Sequence, residues 1–304
     1  MSHHVGGETM ATRGKSINLF LMDGKADGRI KCTLANWTGI AYKIPRTDID
    51  LCKDREDLKQ SGVYFLFGVS DETGDNVVYI GQAGERKNGE GILYRLQEHK
   101  RNPDKDYWTE AVVFTTANNS FGPTEISYLE HRFCKLAVEA KRYKVKNGND
   151  PTPGHITEEK ECELEEFIEY AEIIMGTLGH KVFIPLQGTT TVSSDDSTTT
   201  AAVEQELHLK HSKIKATGRR TSDGFVVLKG SQVSITEAKS CPGTIRNLRQ
   251  KYADKISDDG RLTEDIGFSS PSAAAGFVSF SSVNGMIVWL SADGTTLKDL
   301  ESNS

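Results

Sequence analysis

From Ser16 to Pro45 apolar and polar positions alternate: Ile17, Leu19 and Leu21, then Ile30, Cys32 and Leu34, then Ile40, Tyr42 and Ile44. A period of two predicts strands with one buried face. DGKADG at 23–28 supplies the first turn, so residues 16–60 are expected to form a small antiparallel β lead-in. At Gly62 the pattern changes. GVYFLFGV (62–69) is a dense aromatic and β-branched run, suited to a buried strand. DETGDN (71–76) is a turn cluster and VVYIG (77–81) a second strand, which together predict a hairpin. The polar, Gly-rich loop QAGERKNGEG (82–91) follows, and then Ile92, Leu93 and Leu96 recur at helical spacing. AVVFTT (111–116) predicts a third strand. Pro123 opens a helix whose apolar stripe is Ile126, Leu129, Phe133, Leu136 and Ala140. A last helix, about 157–178, buries Leu164, Phe167, Ile168, Ala171 and Met175.

TTTVSSDDSTTTAA (189–202) has nothing to bury and predicts a flexible linker. Beyond it ELHLKHSKIKATG and GFVVLKGSQVSI suit strands, and GTIRNLRQKYADKI (243–256) and SPSAAAGFVSFS (270–281) suit short helices. GMIVWLSADGTTL (285–297) predicts a strand, a DG turn and a short return. The expected organisation is a disordered N-terminus (1–15), the β lead-in (16–60), an α+β domain with a small antiparallel sheet flanked by helices (61–185), a Thr/Ser-rich linker (186–203) and a second small α+β domain (204–304).

Composition narrows the class. The chain of 304 residues is 37% apolar and 26% charged, with a formal net charge of −6. No apolar run approaches the roughly 20 residues of a membrane span, and the first residues lack the basic start and apolar run of a secretory signal. A soluble, cytoplasmic protein with no membrane partner is expected. The five cysteines are widely spaced with no CxxC pair, which argues against a zinc ribbon and for reduced thiols. The acidic total weighs against a nucleic-acid partner, because phosphate binding wants Lys and Arg. The charge is uneven, however. The helix at 157–178 carries eight glutamates on its polar face, whereas residues 132–146 hold six Lys or Arg against Glu139, and residues 86–105 hold six against Glu90, Glu98 and Asp104.

Those basic segments flank the chemistry-bearing residues. Gly62-Val63-Tyr64 opens one strand and Tyr79-Ile80-Gly81 closes the next. Tyr64 and Tyr79 lie on paired strands at a separation that allows both hydroxyls on one face. Arg95 and His99 are four apart, hence on one helix face. Glu130 sits on the flank of the next helix's stripe, and Asn147 and Asn149 follow in a loop. Phosphodiester hydrolysis needs a water nucleophile, a proton acceptor and positive charge for the pentavalent phosphate. Arg95 offers a permanently charged fork. Glu130 is a candidate ligand for one hard cation that keeps most of its waters, which suits Mg²⁺ (or Mn²⁺).

The ordered set GVY, YIG, R-x-x-x-H, Glu and Asn on a β-β-α-β-α pattern resembles the GIY-YIG nuclease family, over about a third of the chain. The resemblance implies a GIY-YIG endonuclease fold and metal-dependent cleavage of DNA. It implies that Tyr64 activates or positions the attacking water, with Tyr79 as its partner at the active-site surface. Arg95 would stabilise the scissile phosphate, His99 would be a supporting acid or base, Glu130 would bind the metal, and Asn147 (or Asn149) would brace the site. GFVVLKGS (224–231), SPSAAAGFV (270–278) and VNGMIVWLSADGTTLKDL (283–300) resemble a small domain of unknown function often found C-terminal to such nucleases.

Taken singly, each residue has a plainer reading: Tyr64 and Tyr79 as strand aromatics, Arg95 as a surface charge, Glu130 as a solvated helix residue, Asn147 as part of a turn. Lys87, Arg95, Lys100, Arg101, Lys141 and Arg142 are the candidate nucleic-acid contacts. Two alternatives stay open: a non-catalytic nucleic-acid-binding or regulatory module, and a phosphodiesterase acting on RNA or a small nucleotide. A homo-oligomer is compatible with a single-metal site that must cut two strands.

Overall fold

The computed structural model describes residues 13–84, 91–148, 156–185, 205–211, 214–221 and 224–302. The linker at 186–203, most of residues 1–15, and Lys87 and Asn149 lie outside the described residues. The chain divides into two compact units, Met1–Pro185 and Leu186–Ser304, both mixed α+β.

In the first unit the chain forms β1 (Ile17–Leu21), β2 (Ile30–Leu34), β3 (Gly39–Pro45), β4 (Gly62–Val69), β5 (Asn76–Ala83), α1 (Ile92–Arg101), β6 (Trp108–Thr116), α2 (Pro123–Ala140), β7 (Lys144–Val145) and α3 (Glu158–Thr177). The strands make one seven-stranded sheet in the order β1-β2-β3-β6-β4-β5-β7, antiparallel except for the β5–β7 pair. Two expectations change here. The sheet is not small, and residues 16–60 are not a separate lead-in, because β3 pairs with β6 over its whole length and carries β2 and β1 into the same sheet.

The central strands show why β4 reads as an unbroken apolar run. Val63, Phe65 and Phe67 face a core shared with α2 and α3. Tyr64 and Leu66 face a second core shared with α1 and with Ile49, Cys52 and Leu58 from short 3₁₀ turns. A strand covered on both sides has no polar face to alternate. At the edge the logic fails differently. The alternation in β1 predicts inward-facing Leu19 and Leu21, yet Leu19, Phe20 and Leu21 are all exposed, Phe20 at 56%. Lys15 lies beside this edge, with its ammonium 4.3 Å from the Tyr170 ring centroid.

The helices end as their sequences dictate. α2 begins with Pro123, and Glu125 accepts a hydrogen bond from the Gly122 amide (3.1 Å). It stops at Lys141, whose φ of 54° is left-handed. α3 is capped by Thr157. Its glutamates are partly spent on α2: Glu165 accepts from Arg132 and Tyr128, and Glu161 from Tyr128.

The second unit contains β8 (Glu206–Leu209), β9 (Thr217–Thr221), β10 (Gly224–Val227), α4 (Gly243–Lys251), β11 (Ile266–Phe268), α5 (Pro271–Ser279), α6 (Gly285–Val288), β12 (Trp289–Leu290) and α7 (Leu297–Ser302). Its antiparallel sheet runs β11-β10-β9-β8-β12 over a core that includes Phe225, Phe277 and Trp289. Ser270 accepts from the Ala273 amide and Pro271 occupies the first turn of α5. The strand expected from Gly285 is instead a helical turn, since Asn284 caps the Met286 amide (3.0 Å) and only Trp289–Leu290 are extended. Trp289 is fully buried and donates its indole N–H to the Pro271 carbonyl (3.0 Å). Among the described residues no helix is long and apolar enough to cross a membrane.

Candidate active site

β4 and β5 pair with Tyr64 opposite Gly81 and Leu66 opposite Tyr79. Positions two apart share a face, so Tyr64 and Tyr79 stand together on the α1 side of the sheet, their ring centroids 6.3 Å apart. Gly81 makes this possible. A Cβ there would lie 2.3 Å from the Tyr64 hydroxyl oxygen, so glycine clears the path of a side chain.

α1 crosses the same face and brings Arg95 and His99. The His99 ring lies 5.3 Å from the Tyr64 centroid and 5.4 Å from that of Tyr79. The Tyr64 hydroxyl and His99 Nε2 are 2.7 Å apart in a hydrogen bond closed to solvent, at 1% and 3% exposure. The Tyr79 and Tyr64 hydroxyls interact, and the Arg95 guanidinium reaches Tyr64 while Nη1 pairs with Glu98 at 2.7 Å. Tyr79 and Arg95 are only partly buried and form the accessible part of the group.

Glu130 comes from the opposite face. Gln82, out of phase with Gly81, turns to the α2 side and donates its amide N–H to Glu130 Oε2 (2.9 Å). The carboxylate is still within electrostatic reach of Tyr79 and Arg95.

Burial sets the proton chemistry. It pushes the Tyr64 hydroxyl far above the ordinary phenol range, the charge of Tyr79 adds to this, and Arg95 opposes it. Burial and then the Glu130 charge raise Tyr79. His99 is driven down to about 3 by burial, then by Lys105 and Arg95, so the imidazole is neutral at physiological pH. Burial raises Glu130, against Gln82 and Arg95. A half-buried carboxylate short of positive charge, with one oxygen taken by an amide, fits a single hard cation that keeps most of its waters. Among the described residues no group of three or more His, Cys, Asp or Glu could hold a metal by itself.

Two residues beside the cluster have no motif signal. Gln82 looks like one polar position in a polar loop. Lys105 enters the sequence only through the charge tally. Asn102 accepts from the Asp104 amide (2.9 Å) and folds residues 103–105 into a 3₁₀ turn after α1. That turn brings the Lys105 ammonium to 3.2 Å from the Tyr79 ring centroid.

The remaining candidates lie elsewhere or do other work. Asn147 does not join the reacting groups: its Oδ1 accepts from Ile80 N–H (3.1 Å) and its Nδ2 donates to Ile80 C=O (2.7 Å). In this way it braces β5 beside Tyr79. Lys100 is held by Asp50 (2.9 Å) and Arg101 lies over Tyr94. Lys141 is the exposed cap of α2, and Arg142 donates to the Ile184 and Pro185 carbonyls. In the second unit Arg219 pairs with Glu206 and Arg220 with Glu301.

Residues 207–301 match the model of a domain family of unknown function, DUF4357. The match covers the second unit and does not extend to the Tyr64–Glu130 cluster. No curated protein and no solved structure matches the chain.

Proposed function

We propose that the first unit is a metal-dependent endonuclease of the GIY-YIG type, hydrolysing phosphodiester bonds in DNA. One observation carries this reading: Tyr64, Tyr79, Arg95 and His99, drawn from three consecutive elements, meet on one sheet face with a single carboxylate, Glu130, at its margin.

Each group then has a task. Tyr79 is the hydroxyl that substrate water can reach. Behind it the Tyr64 hydroxyl is hydrogen-bonded to Nε2 of the neutral His99. The water oxygen bonds to phosphorus as the phosphorus–oxygen ester bond breaks. The water proton leaves to solvent by way of the Tyr79 hydroxyl, which takes one proton and gives up another, the Tyr64–His99 pair holds that hydroxyl in place, and the leaving oxygen takes a proton from solvent. Arg95 places a fixed positive fork against the non-bridging oxygens. Glu130 would hold Mg²⁺ or Mn²⁺, which when bound supplies further positive charge for the pentavalent phosphate.

The test is nicking of supercoiled plasmid with Mg²⁺ and with chelator. Wild type should nick only with metal. Arg95→Ala and Glu130→Gln should each lower the rate by about 100- to 1,000-fold. Equal nicking by wild type and both variants would sink the reading. Binding without cleavage, across metals, would mark a nucleic-acid-binding module instead.

A further inference from the structure

Lys105 lies outside every motif in the chain, yet its position is unusual for a lysine. Its side chain is half-buried, its ammonium rests 3.2 Å from the Tyr79 ring centroid, and no carboxylate pairs with it among the described residues. Lysines normally extend to water and keep the ammonium hydrated. Here the neighbouring groups are Tyr79 from β5, Arg95 and His99 from α1, and Arg46, which donates to the Lys105 carbonyl (3.2 Å); Tyr107 follows two residues on, and Lys146, after β7, lies over its ring. Glu98 is already paired with Arg95. Two cations, Arg95 and Lys105, therefore flank the partly open tyrosine Tyr79; Arg95 has Glu98 as its partner and Glu130 within reach, whereas Lys105 has no carboxylate partner among the described residues. Burying a cation without a counter-charge is costly, and an anion seated against Tyr79 removes that cost.

We propose that Lys105 is the second cation of the phosphate site, contacting a non-bridging oxygen of the same phosphodiester that Arg95 holds. This rests on the reading of the cluster as a phosphodiester site, and it makes the site depend on the protonation of one lysine. Burial, and secondarily Arg95, lowers Lys105 to about 8. The sign follows directly: below that value the ammonium is charged and binds the anion, and above it the neutral amine does not. The hydroxyls of Tyr64, Tyr79 and Tyr107 are all raised, and His99 is lowered to about 3. Among these groups Lys105 is the one whose charge is lost near pH 8.

The experiment uses the full chain and two readouts. The first is the pH profile of plasmid nicking with Mg²⁺. Wild type should lose activity as pH rises through about 8. Lys105→Met should lower kcat/KM by about 100-fold. Lys105→Arg, charged throughout, should restore most of the rate and move the alkaline limb upward. The second is affinity for a short synthetic duplex in the Glu130→Gln background, which does not depend on cleavage. It should weaken through the same pH range and stop doing so in Lys105→Arg. If the duplex binds with this pH dependence but nothing is cleaved, the nuclease reading fails and the role of Lys105 stands. If Lys105→Met matches wild type in both readouts, if Lys105→Arg keeps the limb at pH 8, or if the duplex does not bind, the proposal is overturned.

Discussion

Gly81 shows how one atom decides whether the cluster can exist. An alanine methyl there would stand 2.3 Å from the Tyr64 hydroxyl oxygen and 2.5 Å from Cζ, closer than any real contact. Neither partner can yield cheaply, since the Tyr64 ring is fully buried and tied to His99 at 2.7 Å. Gly81→Ala should therefore push the phenol away from the imidazole. Overpacking of this kind costs about 1–3 kcal/mol, which a folded domain of this size survives. The nicking rate should fall by about 100-fold, the cost of misplacing a positioned group by about 1 Å, while the far-UV spectrum is kept. A variant with wild-type rate would mean that the Tyr64–His99 bond is not used in the reaction.

At the scale of elements, β5 carries Tyr79 and Gly81 on one face, and among the described residues its outer edge pairs with the two-residue β7. Asn147 completes that edge with two hydrogen bonds to Ile80, and the Lys146 amide adds one to Val78 (2.8 Å). Asn147→Ala leaves a backbone donor and acceptor without partners, at about 1–3 kcal/mol. The expected result is a lower Tm and faster hydrogen exchange at the Ile80 amide, with a smaller loss of rate than in Arg95→Ala. A loss as deep as that of Arg95→Ala, with Tm unchanged, would return Asn147 to the catalytic group. The elements also show what the sequence could and could not reveal. The pleat parity of Tyr64 and Tyr79 and the helical phase of Arg95 and His99 are local, so spacing alone places each pair on one face. Local patterns cannot say which strand is the edge, so the alternation of β1 is misleading and Leu19 and Leu21 are exposed. Nor could they reveal that an Asn102 side chain folds Lys105 back onto Tyr79, or that Gln82 faces Glu130 across β5, because both contacts exist only once the sheet is assembled.

For the whole molecule, the net charge of −6 hides a separation by side. α3 and its glutamates pack on the sheet face covered by α2, whereas Tyr64 and Tyr79 stand on the α1 face. Many cations that made the flanking segments look basic are committed elsewhere: Arg132 to Glu165, Lys100 to Asp50, Arg142 to two carbonyls. Among the described residues the cations beside Tyr79 and Tyr107 are Arg95, itself paired with Glu98, Lys105 and Lys146. Each phosphate neutralised by a bound cation contributes about −0.9 to the slope of log K against log salt on duplex DNA. Three such contacts predict weak, local binding with a slope of about −2 to −3. Lys105→Met should flatten it by about one contact's worth, whereas Lys100→Met should not. The measurement is a salt titration of duplex affinity with Glu130→Gln, so that no substrate is consumed. A slope of about −6 or steeper would show that the surface cations Lys100, Arg101 and Lys141 also meet the DNA, and that the contact surface extends well past the tyrosine pair.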